Sequence, residues 1–426
     1  MNVTSTVTVL QISRLRAHWR AAGVSAVLAL FLVPASVQVQ CAYSVVEIAP
    51  PSCPFSQESI TPTSMHDDGT IVGYYTLCGG VYRGFRRHPD GTFETLPVPA
   101  GAFGAVADKI APDGTIVGTA DVAVPGEVVG RLTVWAGSGV VMADAPSSLV
   151  WMSGGAAGNL GLAGGMLNTG FVGDVPALWQ NGRYLPLPPL IASAEGRFNR
   201  INRFGARLAD ISQGIGFNGV LAIWFTDDSI EVLSPPRGYS GCVARSLNAA
   251  GHVAGRAFPA DYPASLPRAH LWRSMEIIDL GVLLGMQFSL SDDINDVDQV
   301  VGGSGSTSGG GISVFFWADG HLYDLMLLAP PLPGGYYLEA GAINNRGQIA
   351  VVGYRIPNKS RIFLLTPLSL ADADVTIDCK VDTKDLLAVL ECWGPRETSV
   401  IERADIDGDG VIGPRDLAEV LGNWTP

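Results

Sequence analysis

The chain has 426 residues, and its 40 acidic and 27 basic side chains give it a formal net charge of −13. Apolar residues make up 47% of the sequence and charged residues 16%, so the chain can bury enough surface to fold, which excludes intrinsic disorder. The acidic balance and the lack of a basic cluster in the body argue against a nucleic-acid partner, because phosphate binding needs a basic surface. The 52 Gly and 28 Pro residues favour turns and short strands over long helices.

The first 41 residues are typical of a secretory signal. An apolar run over 21–33 follows a basic region, and small residues come next. This run is too short to cross a ~30 Å hydrocarbon core as a helix, so we expect cleavage, after Ala35 or nearer Cys41. Because Gln40 precedes Cys41, lipidation of that cysteine is not expected. The sequence therefore predicts a secreted protein that has no membrane span once the signal is removed.

Six cysteines are present, at positions 41, 53, 78, 242, 379 and 392. An exported chain permits disulfides, and a bond between Cys53 and Cys78 would close a loop in the first repeat. The pairing cannot be read from the sequence, and no cysteine spacing resembles a zinc site.

The body of the chain repeats one unit seven times, about every 46 residues. The core of the unit is nine residues long, as in Met65–Gly73 and Ile110–Gly118. An apolar residue comes first, and the next position is often Asn. Two further residues, a Gly, one more residue, an apolar pair and a final Gly follow. The turn position of each copy is occupied by Gly69, Gly114, Gly161, Gly205, Gly251, Asp298 and Gly347. A strand ending in Trp follows most copies, at Trp135, Trp179, Trp224, Trp272 and Trp317.

Each unit predicts four short strands. Asn can bind the backbone two residues further on and Gly supplies positive φ, so the Asn turn joins two strands, and Asn-Gly or Asp-Gly turns join two more. Four strands per repeat favour a seven-bladed β-propeller over residues 42–368 rather than a solenoid. The last copy lacks its fourth strand, and residues 43–51 resemble 323–331. We therefore expect the N-terminal strand to complete the seventh blade and close the ring.

The body also resembles the HAF family of bacterial extracellular repeat proteins. The residues that carry the resemblance are His270-Leu271-Trp272, Asp279-Leu280-Gly281, and Ile294-Asn295 through Gly302. It covers residues 43–368 and implies an exported repeat protein, while the family carries no defined activity to transfer.

The acidic C-terminal segment contains two loops with calcium-binding spacing, which begin at Asp374 and Asp405. Oxygen ligands at loop positions 1, 3, 5, 9 and 12, with a backbone carbonyl at position 7, are typical of EF-hand-type loops, so two calcium ions are predicted. The predicted ligands are Asp374, Thr376, Asp378, Lys380, Asp382 and Asp385 in the first loop, and Asp405, Asp407, Asp409, Val411, Gly413 and Asp416 in the second. Hydrophobic residues at position 8, Val381 and Ile412, are expected to let the loops pair.

A short helix is expected after each loop. The predicted apolar faces comprise Leu386, Leu387 and Leu390 in the first helix, and Leu417, Val420 and Leu421 in the second. The Asp at position 12, the single helix after each loop and the paired repeats resemble a type I dockerin, a small all-α domain placed at 374–426 after a linker at 369–373. The resemblance implies docking to a cohesin-like domain of another protein in polysaccharide-degrading assemblies. The contacts that it implies are Thr383, Lys384, Pro414 and Arg415.

No catalytic motif is evident in the sequence. Four carboxylates, Asp108, Asp292, Asp293 and Glu339, fall in predicted first strands, where glycan-active propellers carry acids. They do not recur in register, so solvated loop-end acids are the favoured interpretation. The preferred function is a secreted, non-catalytic binding or scaffold protein that is attached through its dockerin. The alternatives are a polysaccharide-active enzyme and a structural envelope component.

Overall fold

The computed structural model describes residues 43–51, 59–76, 80–143, 151–168, 174–180, 183–185, 195–212, 219–227, 229–273, 276–307, 311–330, 332, 336–355, 359–367, 372–376, 380–396 and 401–424. The predicted signal segment at 1–41 and the proposed Cys53–Cys78 bond lie outside these ranges. Within them, no helix combines the length and apolar character needed to cross a bilayer.

Seven antiparallel sheets of four strands each form the body, which confirms the predicted seven-bladed propeller. Strands are given from the innermost, called the first strand, to the outermost. Blade 1 contains Ile60–Met65, Ile71–Thr76, Tyr82–Arg87 and Phe93–Thr95, and blade 2 contains Gly104–Ile110, Ile116–Val124, Glu127–Ala136 and Gly139–Met142. Blade 3 contains Trp151–Ala157, Leu162–Asn168, Asp174–Gln180 and Arg183–Leu185, and blade 4 contains Glu195–Ile201, Arg207–Ser212, Gly219–Trp224 and Ile230–Leu233.

The remaining blades follow the same order. Blade 5 contains Tyr239–Leu247, Val253–Pro259, Arg268–Arg273 and Glu276–Asp279, and blade 6 contains Phe288–Ile294, Val300–Gly305, Ile312–Ala318 and His321–Asp324, followed by a 3-10 turn at Leu325–Leu327. Blade 7 contains Tyr337–Ile343, Ile349–Arg355, Lys359–Pro367 and the N-terminal strand Tyr43–Ile48.

The ring closes as predicted. The N-terminal strand is the outermost strand of blade 7, with Tyr43 opposite Pro367 and Ile48 opposite Ile362. Each first strand contacts the first strands of both neighbouring blades, including blade 7 with blade 1. The first and last parts of the propeller are therefore held in one sheet, which removes two exposed strand edges.

The repeated Trp joins neighbouring blades. Trp135, on the third strand of blade 2, packs in a buried cluster with Val72 and Leu96 of blade 1. Its indole Nε1 donates to the carbonyl of Pro97 at 2.8 Å, and Trp272 of blade 5 donates in the same way to Ser234 of blade 4 at 3.1 Å. An aromatic residue with one polar atom can thus fill the space between blades and hydrogen-bond the preceding blade.

Every first strand contains a β-bulge at the same position of the repeat, six residues before the turn position. The bulged residues are Thr63, Asp108, Gly155, Asn199, Arg245, Asp292 and Gly341. The recurring Val-Gly segment of the second strand lies opposite this bulge, as Val117 and Gly118 do in blade 2. A Cβ on Gly118 would lie 2.0 Å from the carbonyl oxygen of Val106, so blade 2 needs glycine opposite its bulge. Blades 4 and 7 have Ala209 and Val351 at the paired position instead.

The C-terminal region has a core of its own, formed by residues such as Val375, Val389 and Val420. Its helices are α1, Thr383–Glu391, and α2, Pro414–Gly422, with a 3-10 turn at Glu402–Ala404. A short strand pair joins Gly394–Pro395 to Val411–Ile412, so the region is not wholly α.

Two expectations about this region need correction. The predicted apolar faces are only partly buried, since Leu386, Leu417 and Val420 pack against the core whereas Leu387, Leu390 and Leu421 are exposed. Val381 and Ile412 do share the core, but the strand pairing of Ile412 is with Gly394 rather than with the first loop.

Candidate functional site

The Asn turns converge around the axis at one end of the ring, which we call the turn face. Each Asn uses both ends of its amide. Asn295 Oδ1 accepts from the backbone of Val297 at 3.2 Å and Gln299 at 2.9 Å, as the sequence predicted for the turn, while Nδ2 donates to the Asn344 carbonyl of the next blade at 3.2 Å. Equivalent inter-blade bonds run from Asn202 to Asn248, Asn248 to Asn295, Asn344 to His66, and His66 to Pro112.

A polar cavity of about 420 Å³ lies inside the ring of turns at the turn face. On its wall, Asn345 Nδ2 bridges Asp67 at 2.9 Å and Asp296 at 2.7 Å, and Arg203 lies 3.4 Å from Asp296. Burial raises the pKa of Asp296 to about 6, although the charge of Arg203 opposes the shift. Arg396 of the C-terminal region also lines the cavity, so this end of the axis is covered by that region.

Charged side chains fill the axis below the cavity. Asp293 is 3% exposed and accepts from Arg200 of blade 4 at 2.9 Å, Ser246 of blade 5 at 2.5 Å and the backbone of Ile343 of blade 7 at 3.1 Å. Burial lowers the pKa of Lys109 to about 8, and the Arg200 charge adds to the shift while Asp293 opposes it. We call Lys109, Arg200 and Asp293, which come from blades 2, 4 and 6, the axial plug.

The four inner-strand carboxylates do lie on first strands, but three of them are not solvated loop-end acids. Asp108 and Asp292 are half-buried, Asp293 is buried, and Glu339 is exposed. Moreover, Asp108 and Asp292 occupy the same bulge position of blades 2 and 6, so the conclusion that these acids do not recur in register was wrong for this pair.

The environment of the two bulge acids favours their neutral forms. Burial raises the pKa of Asp108 to about 7, against a hydrogen bond from Thr119 and the charge of Lys109. Burial also raises the pKa of Asp292 to about 7, with Glu339 adding to the shift and Arg245 opposing it. A carboxyl group that titrates near neutral pH beside an exposed carboxylate is a chemically useful pair.

Sequence reasoning missed the basic and aromatic members of this axial cluster. Arg245 is itself a bulge residue, and Arg256 and Tyr354 lie on the adjoining second strands. The signal was present, because each bulge residue precedes its turn position by a fixed spacing. A glycine inside a strand pattern also indicates a bulge.

The second loop, at 405–416, brings three of its predicted ligands together. Carboxylate oxygens of Asp405, Asp407 and Asp416 lie within 4.8 Å of one another. The side chain of Asp405 is fully buried, and its Oδ1 has no hydrogen-bond partner among the described residues. Asp416 is held by the backbone N–H groups of Ile406 at 2.6 Å and Gly413 at 2.7 Å.

The other predicted ligands of this loop are arranged around that cluster. Asp409 is exposed and accepts from the Val411 backbone at 2.9 Å, and Gly410 adopts a φ of 86° in the turn. Val411 and Gly413 lie at the short strand and at the start of α2.

The first loop is described only in part, because Asp378 lies outside the described residues. Asp385 is buried and accepts from Thr376 N at 2.9 Å, Thr376 Oγ1 at 3.0 Å and Asp382 N at 2.8 Å. Asp374 is buried as well, and its backbone carbonyl accepts from Arg403 Nε at 3.1 Å. Lys380 is half-buried at the position whose backbone carbonyl was the predicted ligand.

The four predicted partner contacts are not placed alike at the starts of the two helices. Thr383, Pro414 and Arg415 are exposed at the helix starts. Lys384 instead reaches the propeller, where its Nζ lies 2.6 Å from Asp319 Oδ2.

A cleft of about 460 Å³ separates the propeller from the C-terminal region. Its propeller wall includes Asp67, Asp296 and Arg346, and its other wall includes Arg403 and Asp405. The first ligand position of the second loop therefore faces the propeller.

The chain matches no protein-family model and no curated protein. Among solved structures, it is similar to the β-propeller domain of a Trilobed protease from Pyrococcus furiosus, at 12% identity over 74% of this chain and 99% of that one, with a TM-score of 0.47. It is also similar to virginiamycin B lyase from Staphylococcus aureus (11% identity, 76% and 100% coverage, TM-score 0.45). A gluconolactonase from Xanthomonas campestris is similar at 12% identity, with 78% and 92% coverage and a TM-score of 0.37.

Proposed function

We propose that this chain is a secreted, non-catalytic recognition protein whose C-terminal domain attaches it, in a calcium-dependent manner, to a cohesin-like domain of another protein. The observation that carries the proposal is the convergence of Asp405, Asp407 and Asp416 in a duplicated loop–helix unit. The propeller then serves as the recognition surface, in extracellular assemblies that act on polysaccharide.

The donor set fits calcium. Hard divalent cations prefer carboxylate and carbonyl oxygens, and the second loop offers four Asp side chains together with the Val411 carbonyl. The buried Asp405 Oδ1 without a partner is a costly arrangement that a bound cation would relieve. When bound, calcium would supply positive charge at the start of α2 and hold the loop ends together.

An exposed apolar surface supports the attachment role. Each helix carries an exposed Leu three residues before an exposed Trp, namely Leu390 with Trp393, and Leu421 with Trp424. Large apolar side chains that are duplicated and exposed on a small domain are typical of a protein–protein contact. A domain that needs calcium to order its loops would present this surface only in the loaded state.

Calorimetric titration of the full chain with calcium tests the proposal. We expect two sites in the wild type and the loss of one in Asp407→Asn, since the substitution removes a ligand charge but keeps the shape of a side chain that is 21% exposed. Glu419→Gln, an exposed change on α2 outside the loop, is the matched control and should leave both sites intact.

Capture from the host's secreted fraction tests the attachment. The full chain should retain a cohesin-containing protein in calcium and release it in a chelator. A wild-type titration with no calcium bound would sink the metal proposal, and identical captured partners with and without chelator would contradict the docking role.

A second candidate is a polysaccharide-active enzyme, and one observation favours it. Asp292, whose pKa is raised to about 7 chiefly by burial, lies beside the exposed Glu339. Glycoside hydrolysis uses one protonated and one ionised carboxyl group. Release of reducing ends from a glycan, abolished by Glu339→Gln, would favour this candidate over the first.

A further inference from the structure

Aromatic residues concentrate at the end of the ring opposite the turn face, which we call the far face. This end carries the starts of the first and third strands. Tyr337 opens the first strand of blade 7, Tyr82 opens the third strand of blade 1, and Phe103 immediately precedes the first strand of blade 2. These side chains are 59%, 44% and 43% exposed. Three large aromatic residues in solvent on adjacent blades mark a binding surface.

Direct contacts join blades 2 and 1 along this surface. Arg83 Nη1 donates to the carbonyls of Tyr82 at 3.0 Å and Phe103 at 2.8 Å. The ring of Tyr82 then meets that of Tyr74 edge to face, with centroids 5.5 Å apart. The rim is thus held in place by hydrogen bonds and ring contacts.

The same surface continues from blade 1 into blade 7. Tyr354, on the second strand of blade 7, lies opposite Tyr337 and is half-buried. Burial raises the pKa of Tyr354 to about 12, so this hydroxyl is a neutral donor at every physiological pH. We call Tyr74, Tyr82, Phe103, Tyr337 and Tyr354 the aromatic arc.

The arc leads into a polar throat on the axis. Glu339 lies close enough to Asp292 to act on its charge, and Arg245 and Arg256 act on Asp292 from blade 5. Arg245 Nε is buried and has no hydrogen-bond partner in the described part of the chain. The axial plug lies next to these groups toward the turn face, because Lys109, Arg200 and Asp293 each follow the bulge residue of their strand by one position.

We propose that the far face binds an oligosaccharide, with the aromatic arc lying against the sugar rings and Glu339, Asp292 and Arg245 hydrogen-bonding the hydroxyl groups. A pyranose ring has apolar C–H faces and a rim of hydroxyls that both donate and accept. Exposed aromatic faces beside a balanced set of carboxyl and guanidinium groups match both features. The inference rests on the proposed function in assigning recognition to the propeller.

Other ligand classes fit the surface less well. Single-stranded nucleic acid also stacks on aromatic rings, but it needs a basic track along its phosphates, and the chain carries a net charge of −13. A flat protein partner would contact the rim while leaving the charged throat groups buried without partners, which is unfavourable. An oligosaccharide chain can lie along the rim and place its hydroxyl groups beside the charged side chains.

Calorimetry with defined oligosaccharides tests the site, using the full chain in the presence of a chelator. The probes are cellohexaose, xylohexaose, mannohexaose and hexagalacturonate, so that neutral and acidic sugars are distinguished. We expect at least one probe to bind. Tyr337→Ala and Tyr82→Ala should each weaken that binding by about tenfold, since each removes an exposed ring that contributes on the order of 1 kcal/mol or more. Trp424→Ala, an exposed ring on the C-terminal domain, is the matched control and should bind like wild type.

A conservative variant distinguishes a loss of oligosaccharide binding at the site from a loss caused by misfolding. Glu339→Gln keeps the shape of an exposed side chain, and it should weaken binding while the thermal midpoint stays unchanged. Failure of all four probes to bind the wild type would overturn the site, as would equal losses in Tyr337→Ala and Trp424→Ala. Because the chelator removes calcium throughout, such a failure leaves the calcium and attachment proposals to their own tests.

Discussion

At the scale of single residues, the turn Asn, present in four of the seven repeats as Asn202, Asn248, Asn295 and Asn344, has two separate tasks. Its Oδ1 accepts from its own turn, as Asn344 does from Arg346 at 3.0 Å and Gln348 at 3.0 Å, and this half was predictable from the turn signature. Its Nδ2 donates to the next blade, and this half was not predictable, because the partner is a backbone carbonyl of the following repeat. Removing such an Asn would leave buried groups of two blades without partners.

Asp292 gives the stability of the propeller a pH dependence of definite sign. Burial raises the pKa of Asp292 to about 7, whereas an unfolded aspartate titrates near ~3.9. Between these values the folded state binds a proton that the unfolded chain does not, so stability falls as pH rises and levels off above the folded pKa. The groups that act on this carboxyl are Arg245, Glu339, Arg256 and Asp293.

Asp292→Asn should therefore remove part of the pH dependence. The two pH units between pH 5 and the folded pKa, at about 1.4 kcal/mol each, set an upper bound on this effect, and solvent contact reduces it. We therefore expect the free energy of unfolding of the wild type to fall by about 1–2 kcal/mol more than that of the variant between pH 5 and pH 8. Urea denaturation at the two pH values measures the difference. Glu47→Gln, at a surface ion pair with Arg361, should behave like wild type. If Asp292→Asn stabilises the protein relative to wild type more at pH 5 than at pH 8, the sign is opposite to the expected one and the assignment is refuted.

At the scale of elements, the number and order of strands followed from the spacing of turns and Trp residues. The resemblance of 43–51 to 323–331 also predicted the closing strand. The bulges were not predicted, because a bulge depends on how two strands pair, and its only signals in the sequence were the glycine inside the second strand and the fixed spacing to the turn. For this reason Asp108 and Asp292 were not recognised as equivalent positions. The acids of the first strands were instead interpreted as solvated loop-end acids.

The closing strand is expected to be the most sensitive element of the ring. Tyr43 is 2% exposed, packs in a cluster with Phe316 and Leu365, and donates its backbone N–H to Leu328 at 3.0 Å. Tyr43→Ala should cost about 3 kcal/mol or more, because it leaves a cavity where blades 6 and 7 meet. Val46→Ala, on the same strand but 49% exposed, is the control and should change stability by about 0.5 kcal/mol or less.

Chemical denaturation and size-exclusion chromatography together measure this effect. Loosening the strand would expose the edge of Lys359–Pro367, so Tyr43→Ala should also self-associate more than Val46→Ala. Equal stability of the two variants would mean that the N-terminal strand is not what holds the ring closed.

At the scale of the whole molecule, the two ends of the axis differ. The C-terminal region contributes Arg396 to the cavity of the turn face, whereas Tyr82, Phe103 and Tyr337 of the aromatic arc are exposed at the far face. Attachment and recognition would therefore take place at opposite ends, so a bound partner would not obstruct the throat. Polar contacts between the C-terminal region and the propeller include the Lys384–Asp319 pair and a 3.5 Å bond from Gln299 to the Thr376 carbonyl.

Separate cores predict separate unfolding. The buried cluster of the C-terminal region contains no propeller residue, and a part of a chain with its own hydrophobic core could in principle fold alone. Scanning calorimetry of the full chain should thus show two transitions. Calcium at 100 times its dissociation constant should stabilise only the smaller one, by about 2.7 kcal/mol for each occupied site, which corresponds to about 10 °C or more per site for so small a region. Asp407→Asn should remove about half of the total shift, because it loses one of the two sites. A single transition, or equal shifts of both, would show instead that the domains form one cooperative unit and that calcium acts on the propeller as well.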